Sequence, residues 1–348
     1  MSSSAPATRP TSVVADPAPG RLSAEQCLQI YDLMLRARIL EDRLITMYKQ
    51  GEGFFWIGGP GEEAFSVPLG LLVDKGQGVN HDYLHLHYRS SGTLLAMGAD
   101  PVDSIRQMRN TATDPYSRGR NFAGHFSVRA WNVVPINSPI EVQFSIAIGT
   151  ARAQRAGTGA RGITIVQGGD AGTAEGDFAT GLVWSSRKGH ELPLLLLVMN
   201  NRFGISTPYA GQHGYQQIAE RGKAFGMPTA VVDGNDPEAS YAALKRALDY
   251  VRTERKPYLL EAMVSRLRGH SSASGANLVK DEVDCLDRFE RTLEDKNLLT
   301  RAQIDQRREA YTRELADASK RVRSEPHPAP SAVWDHVFAD KNLVGGET

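Results

Sequence analysis

The sequence predicts an α/β protein with a doubly wound parallel sheet, helices on both faces, and helical extensions at both ends. Two observations support this prediction. Short apolar runs alternate with longer helical patterns through the middle of the chain, and such alternation is typical of a parallel sheet covered on both faces. In addition, the runs end in Gly, Asp or Asn. Ligands of such sheets bind beyond the carboxyl ends of the strands, so we expect the functional site there.

The N-terminal part of the predicted fold is helical. Ser23 and Gln26 have the spacing of a capping box, and apolar residues at helical spacing follow from 30 to 44. A Gly-rich segment at 57–61 then precedes a second helical pattern from 62 to 72.

The central part alternates strands and helices. We expect strands at 162–166, 194–199, 231–232 and 258–264, and helices at 173–188 and 237–253. Beyond Asp281 the chain becomes charged and helical up to about Ser324. These patterns predict a disordered leader (1–22), one main domain (23–280) and a helical C-terminal extension (281–348).

Composition excludes some classes of function. The 348 residues carry a formal net charge of +0. Such a chain has no net positive electrostatic field that would attract a nucleic acid backbone. The longest apolar run, 192–199, is too short to span a membrane. The two cysteines, Cys27 and Cys285, have no metal-like or redox spacing. Such sparse use of cysteine suits a reducing compartment, so we expect a cytoplasmic protein.

Polar residues end two of the predicted strands in a pattern that suits a metal and a phosphate. Asp170 follows the first strand between Gly169 and Gly172, and the glycines let phosphate oxygens approach the backbone. Asn201 follows the next strand and offers an amide oxygen at the same sheet edge. A Gly-Asp-Ala-Gly turn alone is more often only a turn. The Asn-Asn ending of the second strand therefore decides the interpretation in favour of a magnesium–diphosphate site.

These strand ends carry a family resemblance. Segments 169–177 (GDAGTAEGD) and 200–208 (NNRFGISTP) resemble the thiamine diphosphate fingerprint. They are similar to the alpha subunits of 2-oxo acid dehydrogenases, most of all to the branched-chain group. The similarity runs from about 22 to 315. It implies the thiamin diphosphate-binding fold and an oxidoreductase that decarboxylates a 2-oxo acid and passes the acyl group to a lipoyl group.

The resemblance also implies a set of ligand contacts. Asp170 and Asn201 would bind Mg²⁺ through their side chains, and Phe203 through its backbone carbonyl. Arginine suits the diphosphate because its guanidinium is a fixed fork of donors. The expected contacts of the thiamine diphosphate are Tyr88, Arg89, Ser138, Ile140, Gly169, Asp170, Ala171, Asn201, Arg266 and His270.

Two histidines are expected to act in catalysis. By the resemblance, His270 faces the reacting carbon, and a group with a near-neutral pKa can exchange a proton there. His125 ends a Gly-Arg-x-Phe-x-x-His pattern, in which relatives have Met at position 122, and we expect it to line the substrate pocket. Three further histidines lie close together in the sequence: His81, His85 and His87. No carboxylate or Cys cluster accompanies them, so a separate metal site is not favoured.

Some positions depart from the family pattern. Met199 stands where branched-chain relatives often carry an Arg that contacts the diphosphate. Asn137 and Val142 replace two hydroxyl residues in a segment that binds potassium in some relatives. Whether this chain binds potassium is therefore left open. Glu141 has no assigned role. Residues 275–277 (Gly-Ala-Asn) replace acidic residues, which leaves the ordering of the loop after His270 open.

By the resemblance, a complete site needs two related α/β domains, and this chain has room for only one of them. The resemblance therefore implies a beta subunit in an α2β2 heterotetramer, with segment 281–348 at a subunit interface, and a lipoyl acyltransferase partner. Two alternatives stay open. The substrate could be pyruvate or acetoin in place of a branched-chain 2-oxo acid. The apolar segment 54–57 could line a pocket for a branched side chain, but it could equally belong to the core. The chain could also be a non-catalytic scaffold of the same fold.

Overall fold

The computed structural model describes residues 22–157, 159–335 and 337–338, so the expected leader lies outside the described residues except for Leu22. The helices are α1 (Ala24–Lys49), α2 (Glu63–Leu72), α3 (Ser91–Ala96), α4 (Pro101–Met108), α5 (Val142–Ala156), α6 (Gly176–Ser185), α7 (Glu220–Ala224), α8 (Pro237–Glu254), α9 (Cys285–Asp295) and α10 (Arg301–Val322). The strands are β1 (Tyr83–His85), β2 (Thr164–Gly169), β3 (Leu194–Asn200), β4 (Phe203–Gly204), β5 (Thr207–Pro208), β6 (Thr229–Asp233) and β7 (Tyr258–Met263).

The centre of the molecule is a five-stranded sheet in the order β1-β2-β3-β7-β6. All its neighbouring strands run parallel. Parallel strands need crossover connections, and these place helices on the sheet faces. The predicted doubly wound parallel sheet is therefore confirmed.

Strand β3 shows why the sheet is covered on both sides. Its residues alternate between two cores: Leu195, Leu197 and Met199 pack with α2, α3 and α8 on one face. The intervening Leu194, Leu196 and Val198 pack with α5 and α6 on the other face. The sequence of such a strand is a continuous apolar run because neither face is exposed to water.

The terminal helices form a third layer. Helix α1 begins at the predicted capping box, in which Ser23 and Gln26 bond to each other's backbone. It packs against α9 and α10 through a separate apolar cluster. The charged C-terminal segment is therefore helical as expected, and its place at a subunit interface stays a prediction. Within the described ranges, no helix has the length and hydropathy needed to cross a membrane.

Two predicted boundaries near the expected site differ from the structure. Strand β2 extends to Gly169, beyond the expected end at 166. We expected a helix from 173, directly after Asp170, but α6 begins at Gly176. Residues Ala171–Ala174 instead form a 3-10 turn. The hydroxyl of Thr173 donates to the carbonyl of Asp170 at 2.7 Å, and this contact holds the turn tight. The turn, and not the first turn of a helix, therefore follows the acidic residue.

A buried ion-pair network joins α1, α2 and the start of α9. The Arg38 guanidinium donates to Glu63 at 2.6 and 3.0 Å, and to Asp284 at 2.7 and 3.1 Å. Arg38 and Glu63 are both buried. The two carboxylates raise the pKa of Arg38 well above its ordinary value, against the opposing effect of burial. This network fixes the helical layer to the start of α2.

Replacing Arg38 with Met should unfold the protein more easily, because it leaves Glu63 buried without its cation. We expect a loss of about 3–5 kcal/mol in the free energy of unfolding, measured by urea denaturation. Arg36→Met is a matched control on the same helix, since Arg36 pairs with Glu314 at the surface. It should cost less than about 1 kcal/mol. Equal losses in the two variants would contradict the network's role.

Candidate active site

A cavity of about 530 Å³ opens beyond the carboxyl ends of the central strands. This is the position that the sheet topology predicts for a ligand. The residues expected from the sequence that line it are Tyr88, Arg89, His125, Ser138, Ile140, Gly169, Asp170, Ala171, Asn201, Phe203 and His270.

Arg266 is the one expected residue that does not line the cavity directly. Its guanidinium carbon lies 5.0 Å from the ring centroid of Phe203, which does line the cavity. Its Nε and Nη1 are buried without a hydrogen-bond partner. Burial is the main cause that lowers the pKa of Arg266, and the cation of Arg89 adds to it. Two neighbouring buried guanidiniums favour an anion between or beside them.

The parallel register brings the two metal-type side chains together. Strands β2 and β3 pair up to Gly169 and Met199. Directly beyond them, the amide of Asp170 donates to the carbonyl of Met199 at 3.3 Å. Asn201 follows two residues after Met199, so Asp170 and Asn201 leave adjacent strands at the same edge.

Asp170 has the environment of a cation ligand. Its side chain is buried, and its Oδ2 has no hydrogen-bond partner. Burial raises the pKa of Asp170 to about 6, while nearby backbone amides and Arg266 oppose the rise. A buried carboxylate oxygen without a partner is unfavourable unless a cation or donor binds it. The residue therefore fits the predicted Mg²⁺.

The other oxygens at this edge suit magnesium better than zinc. The described residues contain no cluster of three or more His, Cys, Asp or Glu that could hold a metal. A cation at Asp170 would have to complete its shell with amide, carbonyl and phosphate oxygens, and magnesium prefers such shells. The Oδ1 of Asn201 accepts from the amide of Phe203 at 3.1 Å, which holds the side chain and the expected carbonyl ligand in one turn.

Arg89 is buried at the cavity wall and is held on three sides. It donates to the carbonyl of Gly58 and, at 3.2 Å, to the carbonyl of His270. Its Nε lies 3.8 Å from Glu62 Oε1. Its position is therefore fixed before any ligand binds, which lowers the entropic cost of contacting a phosphate.

The two expected catalytic histidines lie in the same cavity. His125 Nε2 is 3.2 Å from Ser138 Oγ, and the His270 ring meets Tyr88 edge-on with 6.2 Å between centroids. Burial, and then the cation of Arg89, lowers the pKa of His270 to about 4. Burial also lowers the pKa of His125. Both pKa shifts favour the neutral ring at pH 7, and the roles of the two histidines in catalysis stay predictions.

Sequence reasoning gave no role to two buried polar residues that line the cavity, Glu62 and His87. Glu62 is 2% exposed, and both its carboxylate oxygens lack a hydrogen-bond partner. Burial raises the pKa of Glu62 to about 8, against the effect of Arg89. His87 is also buried with both ring nitrogens unpartnered. The signal that could have revealed Glu62 is an acidic pair, 62–63, at the start of an otherwise apolar helix.

Glu141, which had no role from the sequence, lies beneath the Asp170 turn, here defined as residues 168–174 (the end of β2 and the following 3-10 turn). It is fully buried, and its Oε1 accepts from the amide of Gly169 at 3.0 Å. Burial raises the pKa of Glu141 to about 8. A Cβ at Gly168 would lie 2.1 Å from its Oε2, and one at Gly172 would lie 1.9 Å from its Oε1. The glycines of the turn therefore make room for this carboxyl.

The apolar segment at 54–57 divides between core and pocket. Trp56 is buried, and its indole donates to Glu41 at 2.8 Å. Phe55 and Ile57 line the cavity, whereas Phe54 is 73% exposed. The segment is thus part core and part cavity wall, and its contact with a branched substrate side chain stays a prediction.

The three histidines at 81–87 do not form a metal site together. His81 pairs with Asp74 at 3.1 Å. His85 contacts Thr150 Oγ1 at 2.9 Å, and only His87 reaches the cavity. Met199 also lines the cavity, and its thioether offers no hydrogen-bond donor.

The chain has clear relatives. A family model described as "Dehydrogenase E1 component" matches residues 31–331. The 2-oxoisovalerate dehydrogenase subunit alpha of Bacillus subtilis is 29% identical over 327 residues, covering 91% of this chain and 97% of the relative. The mitochondrial 2-oxoisovalerate dehydrogenase subunit alpha of Homo sapiens is 27% identical over 328 residues, covering 92% of this chain and 72% of the relative.

The chain has a parallel sheet with a cavity beyond its strand ends, and a buried carboxylate (Asp170) and a buried guanidinium (Arg89) line that cavity. One family model matches most of its length, and together these findings define the class of this protein. The chain belongs to the dehydrogenase E1 component family. It is an oxidoreductase of the 2-oxo acid dehydrogenase type, and the expected resemblance, fold and enzyme class are confirmed. The family depends in general on thiamine diphosphate.

Gly172→Ala should destabilise the Asp170 turn, because its Cβ would occupy the space of the fixed Glu141 carboxyl. We expect a loss of about 1–3 kcal/mol in the free energy of unfolding, measured by thermal and urea denaturation. Gly176→Ala is the matched control in the next turn, since its Cβ would meet nothing within 4 Å. The control should leave stability unchanged or raise it. A neutral Gly172→Ala would show that Glu141 is free to move.

Proposed function

We propose that this chain is the alpha subunit of a 2-oxo acid dehydrogenase acting on branched-chain 2-oxo acids, and that it holds Mg²⁺ and the diphosphate of thiamine diphosphate. The observation that carries the proposal is the buried, unpartnered Oδ2 of Asp170, which faces a cavity containing Arg89. Cation-binding and anion-binding groups in one cavity are what a metal–diphosphate site requires.

Each predicted contact has a distinct part in the proposal. Asp170, Asn201 and the carbonyl of Phe203 bind the metal. Arg89 and Arg266 bind diphosphate oxygens. The phenol of Tyr88 and the backbone at Gly169 and Ala171 assist them.

Thiamine diphosphate, when bound, supplies the electron sink for loss of carbon dioxide from a 2-oxo acid. The chain's own apolar residues exclude water from that reaction and shape the pocket. Phe55, Ile57, Phe122 and Ile140 line the cavity. An apolar wall of this size favours a branched aliphatic side chain over the methyl group of pyruvate. His270 and His125, both neutral, are placed to exchange hydrogen bonds with the reacting substrate.

A partner chain is part of the proposal. Several cavity residues at the mouth are apolar and exposed: Phe122 is 55%, Ile140 42% and Ile205 58% exposed. Apolar side chains grouped at a site mouth are typical of a surface that another protein covers. We therefore propose a beta subunit at this mouth, in an α2β2 heterotetramer that passes its acyl group to a lipoyl acyltransferase. Both cysteines are free thiols, which supports a reducing cytoplasmic location.

The alternative functions have less support. The relatives reported above are named 2-oxoisovalerate dehydrogenase subunits, which disfavours pyruvate or acetoin as the preferred substrate. A non-catalytic scaffold would have no need to keep a buried carboxylate and guanidinium without full hydrogen-bonding, because each unsatisfied polar group lowers stability.

Asp170→Asn should remove magnesium-dependent binding of thiamine diphosphate, because the neutral amide cannot balance the metal's charge. Isothermal titration of the α–β complex should give a dissociation constant at least about 100-fold weaker, if the lost charge is worth some 3 kcal/mol. Asp233→Asn is the control at the same sheet edge, where the carboxylate pairs with Arg288 at the surface. Unchanged binding in Asp170→Asn would remove the central residue from the proposal.

The purified α–β complex should oxidise branched-chain 2-oxo acids in a dye-coupled assay with Mg²⁺ and thiamine diphosphate. We expect kcat/KM for 3-methyl-2-oxobutanoate to exceed that for pyruvate by about tenfold or more, since the apolar wall binds the extra methyl groups. Omission of thiamine diphosphate is the control. A preference for pyruvate would select the alternative substrate, and cofactor binding without any turnover would support the scaffold.

A further inference from the structure

The two histidines of the cavity differ in the partners of their ring nitrogens. His270 Nδ1 lies 3.2 Å from an arginine nitrogen. His125 Nδ1 lies 3.4 Å from a backbone carbonyl oxygen. One partner can only donate a hydrogen bond and the other can only accept one. The partners therefore determine where each ring carries its proton.

His270 must accept at Nδ1. Arg89 Nη2 is a guanidinium nitrogen, which carries hydrogens and has no acceptor capacity. A proton on His270 Nδ1 would place two donors against each other at 3.2 Å. The neutral ring consequently carries its proton on Nε2. Within the part of the chain that the structure describes, Nε2 has no hydrogen-bond partner, and the ring lines the cavity.

His125 has the opposite arrangement. The carbonyl of Ala123 can only accept, so His125 Nδ1 carries the proton and donates to it. His125 Nε2 then has a free lone pair, 3.2 Å from Ser138 Oγ. The hydroxyl of Ser138 donates to that lone pair. The oxygen of Ser138 is left with its own lone pairs for a ligand in the cavity.

The surroundings hold both rings in place. The loop that carries His270 is bonded to Trp56 in both directions: the amide of Ser272 donates to the Trp56 carbonyl at 2.8 Å, and the amide of Trp56 donates to Ser272 Oγ at 3.0 Å. Arg89 also donates to the backbone carbonyl of His270 at 3.2 Å. On the other ring, Phe122 meets His125 edge-on with 5.9 Å between centroids.

We infer that the cavity holds two neutral histidines locked as opposite tautomers, with His270 as a hydrogen-bond donor through Nε2 and the His125–Ser138 pair as an acceptor. Arg89 is then a positioning residue for His270, in addition to its proposed contact with the diphosphate. His270 donates to negative charge that develops on a substrate oxygen, and Ser138, polarised by His125, accepts from a donor on the ligand. These catalytic roles rest on the proposed function, whereas the tautomers do not.

The tautomers can be read directly by NMR of the full chain labelled with ¹⁵N at histidine. The chain has nine histidines, and the two signals are assigned by their loss in His270→Gln and His125→Gln. At pH 7 we expect the shift of an unprotonated nitrogen for Nδ1 of His270 and for Nε2 of His125. The remaining nitrogen of each ring should show a directly bonded proton. Equal tautomers in the two rings, or a proton on His270 Nδ1, would overturn the inference.

Arg89→Met tests the cause of the pattern and uses His125 as the internal control. Removing the donor should let the His270 ring populate both tautomers, so its two nitrogen shifts should move toward each other, while the shifts of His125 stay unchanged. An unchanged His270 signal would remove Arg89 as the positioning residue. If Arg89→Met does not fold, Arg89→Gln serves, since its uncharged amide carries an acceptor oxygen as well as a donor and does not force a lone pair on His270 Nδ1. The measurement needs no cofactor, so it succeeds or fails independently of the proposed enzymatic activity.

Discussion

The whole site depends on the parallel register of β2 and β3. Because these strands run in the same direction and end at the same level, Asp170 and Asn201 leave the sheet side by side. The amide of Asp170 bonds to the carbonyl of Met199 at the last point of contact. An antiparallel partner would have placed the second residue at the opposite edge of the sheet. The parallel topology, whose crossover helices cover both sheet faces, is thus also what brings a carboxylate and an amide together.

The cavity and the adjoining Arg266 concentrate buried polar groups that lack partners. Oxygens of Asp170 and Glu62, both ring nitrogens of His87 and two nitrogens of Arg266 are buried without hydrogen bonds. Each such group lowers the stability of the free protein. A ligand that satisfies several of them stabilises the folded state by mass action. Proteins often keep such destabilising groups at functional sites. The unpartnered buried groups of the free cavity are therefore consistent with a site for a metal and an anion.

Sequence reasoning succeeded where a local pattern fixes local structure. The capping box at Ser23 marks the start of α1, and the run from 194 to 199 lies within β3, because capping and apolar runs act over a few residues. It failed for the start of α6, where the side chain of Thr173 competes for the backbone of Asp170. It also gave no role to Glu141, because the partners of that carboxyl lie in the Asp170 turn, 28 residues away for the Gly169 amide.

The sequence by itself determined the fold class and the order of the central strands along the chain, because these follow from periodicity and turn residues. The side chains expected to bind a metal and a phosphate came from ligand chemistry at two strand ends and from the resemblance to a family. Only the tertiary structure decided which of them meet. It divided 54–57 between core and cavity, brought Glu62 beside Arg89, and placed an arginine against one histidine and a carbonyl against the other. The physical reason is that hydrogen-bond partners and burial depend on contacts between distant segments, and these contacts arise from packing the layers together.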